Sequence, residues 1–158
     1  MSSSSAPDTK ATFNQLETLL NEYLGQKAPA MPENIKETLV SFAPYIAIIS
    51  IVFSLPAIFA VLGIGAMMGP FSAFMGPSYM MTYGIGYYIG IVGLIISAVL
   101  EALAIQGLFK RSMKAWRLMY YSTLVAFVAS VFQGNPGSAL VGGLIGMYLL
   151  FQVKAMYK

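Results

Sequence analysis

An all-α bundle of four transmembrane helices, preceded by a short amphipathic helix, is the fold that this 158-residue sequence predicts, and three observations carry the prediction. No Lys, Arg, Asp or Glu occurs from Thr38 to Leu100. Charged residues make up 9% of the chain and hydrophobic ones 58%, whereas ordinary soluble domains carry roughly 25% charge. The nine basic residues fall at positions that a four-span path would bring to one side of a membrane. A soluble domain would need charge along its exposed faces, so side chains in the charge-free run are expected to meet lipid. The length allows one bundle, with about four spans of roughly 20 residues each and an arm of about 40 residues.

Composition also excludes function classes. The net charge of +3 is a small excess of nine basic over six acidic groups and gives no nucleic-acid footprint. With no Cys and no His, the chain lacks disulfides, thiol nucleophiles, thiolate metal sites, the usual metal ligand and the commonest general base. Only one acid lies at depth, so no carboxylate pair is available for acid/base work or for a divalent metal. No enzyme, metal or cofactor site is expected. Among the eleven Met residues, Met67, Met68, Met75, Met80 and Met81 offer thioethers that can bind Cu(I), but adaptable apolar packing is the commoner use of Met.

Taken in order, residues 1–11 are Ser-rich and polar and are expected to form a disordered tail. They lack the basic and apolar segments of a cleavable signal, so the first span is expected to direct insertion. Residues 12–31 form an arm. Thr12 and Gln15 have capping-box spacing, and Phe13, Leu16, Leu20, Tyr23 and Leu24 make an apolar helical stripe. That stripe suits either a membrane surface or protein partner, or the end of the chain's own bundle, and its acidic polar face favours protein contact. Gly25 is expected to end the helix, and Pro29 and Pro32 mark a linker.

The bundle is expected over residues 32–158, with spans at about 42–65, 83–109, 118–133 and 138–153. Pro56 removes a backbone donor and crowds the Val52 carbonyl, so a kink is expected in the first span. The connection at 66–82 is uncharged, rich in Gly, Pro, Met and aromatics, and carries the echo MGPFS and MGPSY. Phe71, Phe74, Tyr79, Tyr83, Tyr87 and Tyr88 fit an aromatic belt in the headgroup region, and a re-entrant half-helix is the alternative. Lys110, Arg111, Lys114 and Arg117, with Trp116 among them, mark a cytoplasmic hairpin, and Gln133 to Gly137 mark the outer turn. This orientation puts both termini and all nine basic residues in the cytoplasm.

Two patterns suggest where the molecule acts. Gly86, Gly90, Gly93, Ser97 and Glu101 recur at intervals of three or four and share one face of the second span, with Ala104 continuing it. Ser138, Gly142 and Gly146 do the same in the fourth span, and Ser122, Ala126 and Ser130 in the third. Small residues let backbones approach, which is a main source of association between spans. These seams hold one chain together, or leave a face for a second copy or another membrane protein.

Glu101 is the only acid after Glu37 and precedes Lys110 by about 13 Å of helix. A carboxylate at that depth needs a partner, a proton or water. Arg117 and Lys154 lie at similar depth and are its expected ion-pair partners, with Gln106 and Gln152 as polar neighbours. Two readings follow: an inner-leaflet salt bridge, or a proton- or cation-binding group of a small transporter or channel component. The first-choice function is a non-catalytic membrane protein acting through helix packing, as a homo-oligomer or an accessory subunit.

From Gly107 onward, GLFKRSMKAWRLMYY followed by GLIGMYLLFQVKAMY resembles the C-terminal half of small bacterial four-span integral membrane proteins that have no assigned function. The resemblance covers about the last third of the chain. It implies location in a bacterial inner membrane and a topology, and no activity or site residue.

Overall fold

The computed structural model describes residues 9–72, 74–79 and 84–158, all within or between helices. Most of the polar tail, and Met80, Met81 and Tyr83, lie outside the described residues. Helix α1 covers Thr9–Leu20, so it is already formed before the expected Thr12 cap. It widens into a π-helical turn at Asn21–Lys27 instead of ending at Gly25, and Ala28 closes that turn by donating its N–H to the Tyr23 carbonyl at 2.9 Å.

Helix α2 runs unbroken over Glu33–Ser72, which at 40 residues is about 60 Å long. The expected loop at 66–82 therefore begins later, since its first residues prolong this helix. An uncharged backbone in apolar surroundings must satisfy its own N–H and C=O groups, and a helix does so where a loop does not. Pro44, Pro56 and Pro70 are carried inside α2, each removing one donor without ending it. Gly76, at φ +102°, makes the turn that L side chains rarely adopt, and α3 is a single turn at Pro77–Tyr79.

Helix α4 spans Gly86–Phe109, α5 spans Met113–Phe132 and α6 spans Pro136–Val153, continued by a 3₁₀ turn at Lys154–Met156. Ser112 caps α5 by accepting from the Lys114 N–H at 3.3 Å, and Pro136 occupies the first turn of α6, where its missing donor costs nothing. The third span thus starts five residues before its expected bound at 118, because the Ser112 cap lets the basic segment itself become helix. Among the described residues, four helices are long and apolar enough to cross a membrane: Glu33–Ile64 within α2, Gly86–Phe109, Met113–Phe132 and Pro136–Met156.

The helices pack in the ring order α2, α4, α5, α6, with α4 against α5 the most extensive contact and α2 against α6 much the slightest. The core lies toward the end that holds the α4–α5 turn and the C-terminal residues. There Val40, Ala47, Ala104, Leu108, Ala115, Trp116, Tyr120, Met147 and Phe151 are buried together. The C-terminal residues close that end: Lys158 donates its N–H to the Arg111 carbonyl at 2.8 Å and accepts from the Met113 N–H at 2.7 Å. Arg111 makes this turn with φ 52° and forms a bidentate pair with Glu37 of α2. Farther along, the Tyr87 hydroxyl donates to the Val61 carbonyl and pins the start of α4 to α2.

Burial along α4 follows the small-residue stripe, with Gly86, Gly90, Gly93, Ser97 and Ala104 all turned inward. A Cβ added at Gly93 would lie 2.5 Å from the Ala129 Cβ, and one at Gly107 would lie 2.7 Å from the Ala115 Cβ. In α6 the buried register is shifted from the expected one. Gly143 faces Phe127 and Gly146 faces Thr123, while Gly142 has nothing within 4 Å and Ser138 is exposed. Helical spacing alone places Gly142 and Gly146 on one stripe, but the crossing of α6 over α5 turns only the latter inward. Gly93→Leu is expected to destabilise the bundle by about 1–3 kcal/mol through overpacking. Gly142→Leu, compared with the parent protein at a dilution where both are monomeric, is expected to stay within about 0.5 kcal/mol of it. Thermal unfolding followed by circular dichroism in mild detergent compares them, and equal losses would show that the α4–α5 seam does not carry the packing.

Candidate intramembrane polar site and the arm latch

Glu101 projects from α4 beside α5, one turn beyond Ser97. The Ser122 hydroxyl lies 3.1 Å from Glu101 Oε1 and 3.4 Å from the Ser97 carbonyl, while the Ser97 hydroxyl donates to the Ser122 carbonyl at 3.3 Å. A hydroxyl has one proton to give, and the shorter contact, to Glu101 Oε1, takes it. Two serines and one carboxylate therefore make a polar knot across the most extensive helix contact of the bundle. Ser97 and Ser122 are buried and Glu101 is half-buried.

The expected ion-pair partners are elsewhere. Among the described residues no Lys or Arg nitrogen lies within 4.0 Å of Glu101. Arg117 is exposed near the start of α5, and Gln106 is exposed on α4. Lys154 pairs with Glu17 of α1 at 2.8 Å and lies 4.8 Å from the Trp116 ring centroid. The correction has a geometric reason: similar depth does not fix the direction in which a side chain leaves its helix. Lys154 points to the arm, which supplies the carboxylate of Glu17.

Gln152 is buried but serves the arm and not Glu101. Its amide donates to the Leu24 carbonyl at 2.8 Å and accepts from the Met31 N–H at 3.1 Å. The Tyr148 hydroxyl, one turn earlier on α6, donates to the Pro29 carbonyl at 2.6 Å. These bonds satisfy backbone groups that the π turn and the Pro linker leave without helical partners. Leu20 and Leu24 pack against the core, and Phe13 meets Tyr121 edge-on at 6.1 Å. The amphipathic stripe of the arm therefore docks on its own bundle through Leu20 and Leu24, while Phe13, Leu16 and Tyr23 remain exposed.

The same end of the molecule is electrostatically settled. Arg111 is held above its ordinary value by its bond to Glu37, and burial pushes the Tyr157 phenol up. Sequence spacing places Glu101 on the Gly86–Ser97 face, and the structure brings these residues together. It adds Ser122 as the carboxylate's partner and Gln133, into whose side chain a Cβ at Gly90 would run. Ser122 is visible in the sequence as a small residue, but nothing in its spacing pairs it with Glu101. Tyr148 carries no sequence signal for its role in the latch.

Comparison of the chain with family models, curated proteins and solved structures finds no match.

Gln152→Ala removes both hydrogen bonds to the arm, a loss of about 1–3 kcal/mol in total. Faster trypsin cleavage after Lys27 is the expected outcome, with the spans left intact by gel analysis. Ser122→Ala is expected to destabilise the protein by about 1–3 kcal/mol by leaving the carboxylate without its donor, whereas Ser122→Thr should retain most of the stability. Thermal midpoints in detergent measure both, and a Ser122→Ala variant as stable as its parent would show that the knot adds nothing.

Proposed function

We propose that this chain is a non-catalytic integral membrane protein that acts through helix packing, as a homo-oligomer or as an accessory subunit of a membrane complex. The observation that carries this reading is the unfilled small-residue cleft between α5 and α6. Ala126 and Ser130 of α5 and Ser138 and Gly142 of α6 line a space of about 180 Å³. Hydroxyls and a bare glycine facing lipid make a poor boundary, but they let another helix approach closely and bond across the contact. Helix α2 supports the same reading on its outer side. Its long apolar surface is covered mainly along the flank that meets α4, and Phe42, Phe53, Phe59 and Met67 are exposed.

The membrane is the cytoplasmic one in this reading, with both termini and the Lys110–Arg117 segment on the cytoplasmic side, because all nine basic residues then lie inside. A second reading, a small transporter or channel component using Glu101 for proton or cation coupling, draws support from one feature. The carboxylate is answered by a serine hydroxyl and by no cation among the described residues.

Cross-linking and native mass measurement in mild detergent are expected to give a complex that Gly142→Leu weakens by at least about ten-fold in dissociation constant, or about 1.4 kcal/mol. A monomer in both proteins would count against assembly. Proton flux into reconstituted vesicles that Glu101→Gln abolishes, with assembly unchanged, would establish the second reading in its place. Purification from the native membrane, with identification of what accompanies the chain, separates a second copy from a different partner.

A further inference from the structure

The arm carries more apolar surface than its own bundle covers. Leu20 and Leu24 pack against the core and Glu17 reaches Lys154, so one side of α1 and of the π turn is spent on the bundle. Leu16 and Leu19, with Tyr23 one turn on, form an adjacent stripe at helical spacing, and all three are exposed. Asn14, Gln15 and Thr18, also exposed, lie on a third side. A helix packed on a protein in water needs polar residues on both of its free sides. Here one free side is polar and the other is apolar.

The level at which the arm is held decides what meets that stripe. Tyr121, which Phe13 touches, lies one turn farther into α5 than Arg117, the last basic residue of the α4–α5 hairpin. At the other end of the arm, Tyr148, which holds Pro29, stands about 9 Å of helix inward of Lys154. Phe13 also shares an open recess of about 370 Å³ with Ile89, Val92 and Ile96 of α4 and Val128 of α5, two membrane-crossing helices. Val92, Ile96, Val128 and Phe13 are all exposed there, and Leu16 and Leu19 follow Phe13 at steps of three, so the apolar surface runs from the spans onto the arm. Charge offers no other partner. Glu17 pairs with Lys154 and Glu22 with Lys27, whose ammonium also lies 4.5 Å from the Tyr23 ring centroid. A tyrosine ring with a lysine over it suits a membrane interface, where the ring is buried and the charged tip reaches water. We infer that the arm is an interfacial belt: Leu20 and Leu24 lie on the bundle, Leu16, Leu19 and Tyr23 lie in the upper acyl chains of the surrounding leaflet, and Asn14, Gln15 and Thr18 face water. The stripe takes lipid hydrocarbon, and it requires the membrane location but no assembly through Gly142.

Because the chain contains no cysteine, single substitutions report each side of the arm separately. Leu19→Cys and Thr18→Cys each carry a bimane label on the full chain in phosphatidylcholine vesicles, with Leu16→Cys as the second apolar position should Leu19→Cys fail to keep the parent's circular dichroism melt. A nitroxide on the upper acyl chain is expected to quench the label at position 19 at least about two-fold more than the label at position 18. Iodide present on both sides of the vesicles is expected to do the reverse. Iodide that reaches position 19 as readily as position 18 overturns the belt and leaves the arm in water. A label at position 19 shielded from both quenchers assigns the stripe to a second copy and overturns the lipid. Lipid quenching is expected to survive unchanged in Gly142→Leu, so loss of assembly and loss of the belt are told apart.

Discussion

Trp116 is the residue on which the closed end of the bundle depends. Its indole donates to the Leu150 carbonyl of α6, its ring stacks on Tyr120 with planes 6° apart, and Phe151 meets it edge-on at 5.2 Å. Lys154 sits over the same ring and carries the bond to Glu17. One side chain of α5 thus joins α6 and, through Lys154, the arm. Aromatic contacts of this kind are worth about 0.5–1.5 kcal/mol each beyond their burial, and a desolvated cation adds to them. In a bilayer, where burial from water does not drive helices together, such directional contacts and close packing have to do that work.

The α4–α5 seam uses the opposite means. Bulk is removed instead of added, and Gly93 and Ala129 let the two backbones approach until a single added methyl would collide. The Ser97–Ser122–Glu101 knot occupies the same seam. A carboxylate is tolerated there because one hydroxyl is aimed at it and because it is only half-buried. The most extensive helix contact and Glu101 share an interface, which ties any change in the charge of Glu101 to the packing of α4 on α5.

The ring is strong from α2 through α4 and α5 to α6 and weak where it should close. The α5–α6 cleft is lined largely by small residues and hydroxyls, with Phe127 among them, while the α2–α6 groove is lined almost wholly by carbon. The arm lies against α6 from Leu24 to Met31 through Gln152 and Tyr148, so it braces the C-terminal half of α6.

The four apolar helices and the inward face of α4 were legible in the sequence, because both follow from local rules. A charge-free run has no alternative to lipid, and glycines at intervals of three and four share a face whatever lies opposite. The long continuation of α2 through Pro70 was not legible. Gly and Pro read as punctuation in water, whereas an apolar surrounding makes an unbroken helix the cheaper way to satisfy the backbone. The partners of Glu101, Lys154 and Gln152 were decided only by tertiary structure. Depth along a helix follows from counting residues, but the azimuth of a side chain toward its neighbour depends on how the helices cross. That crossing sent Lys154 and Gln152 to the arm, turned Gly146 inward and Gly142 outward, and left Glu101 to Ser122.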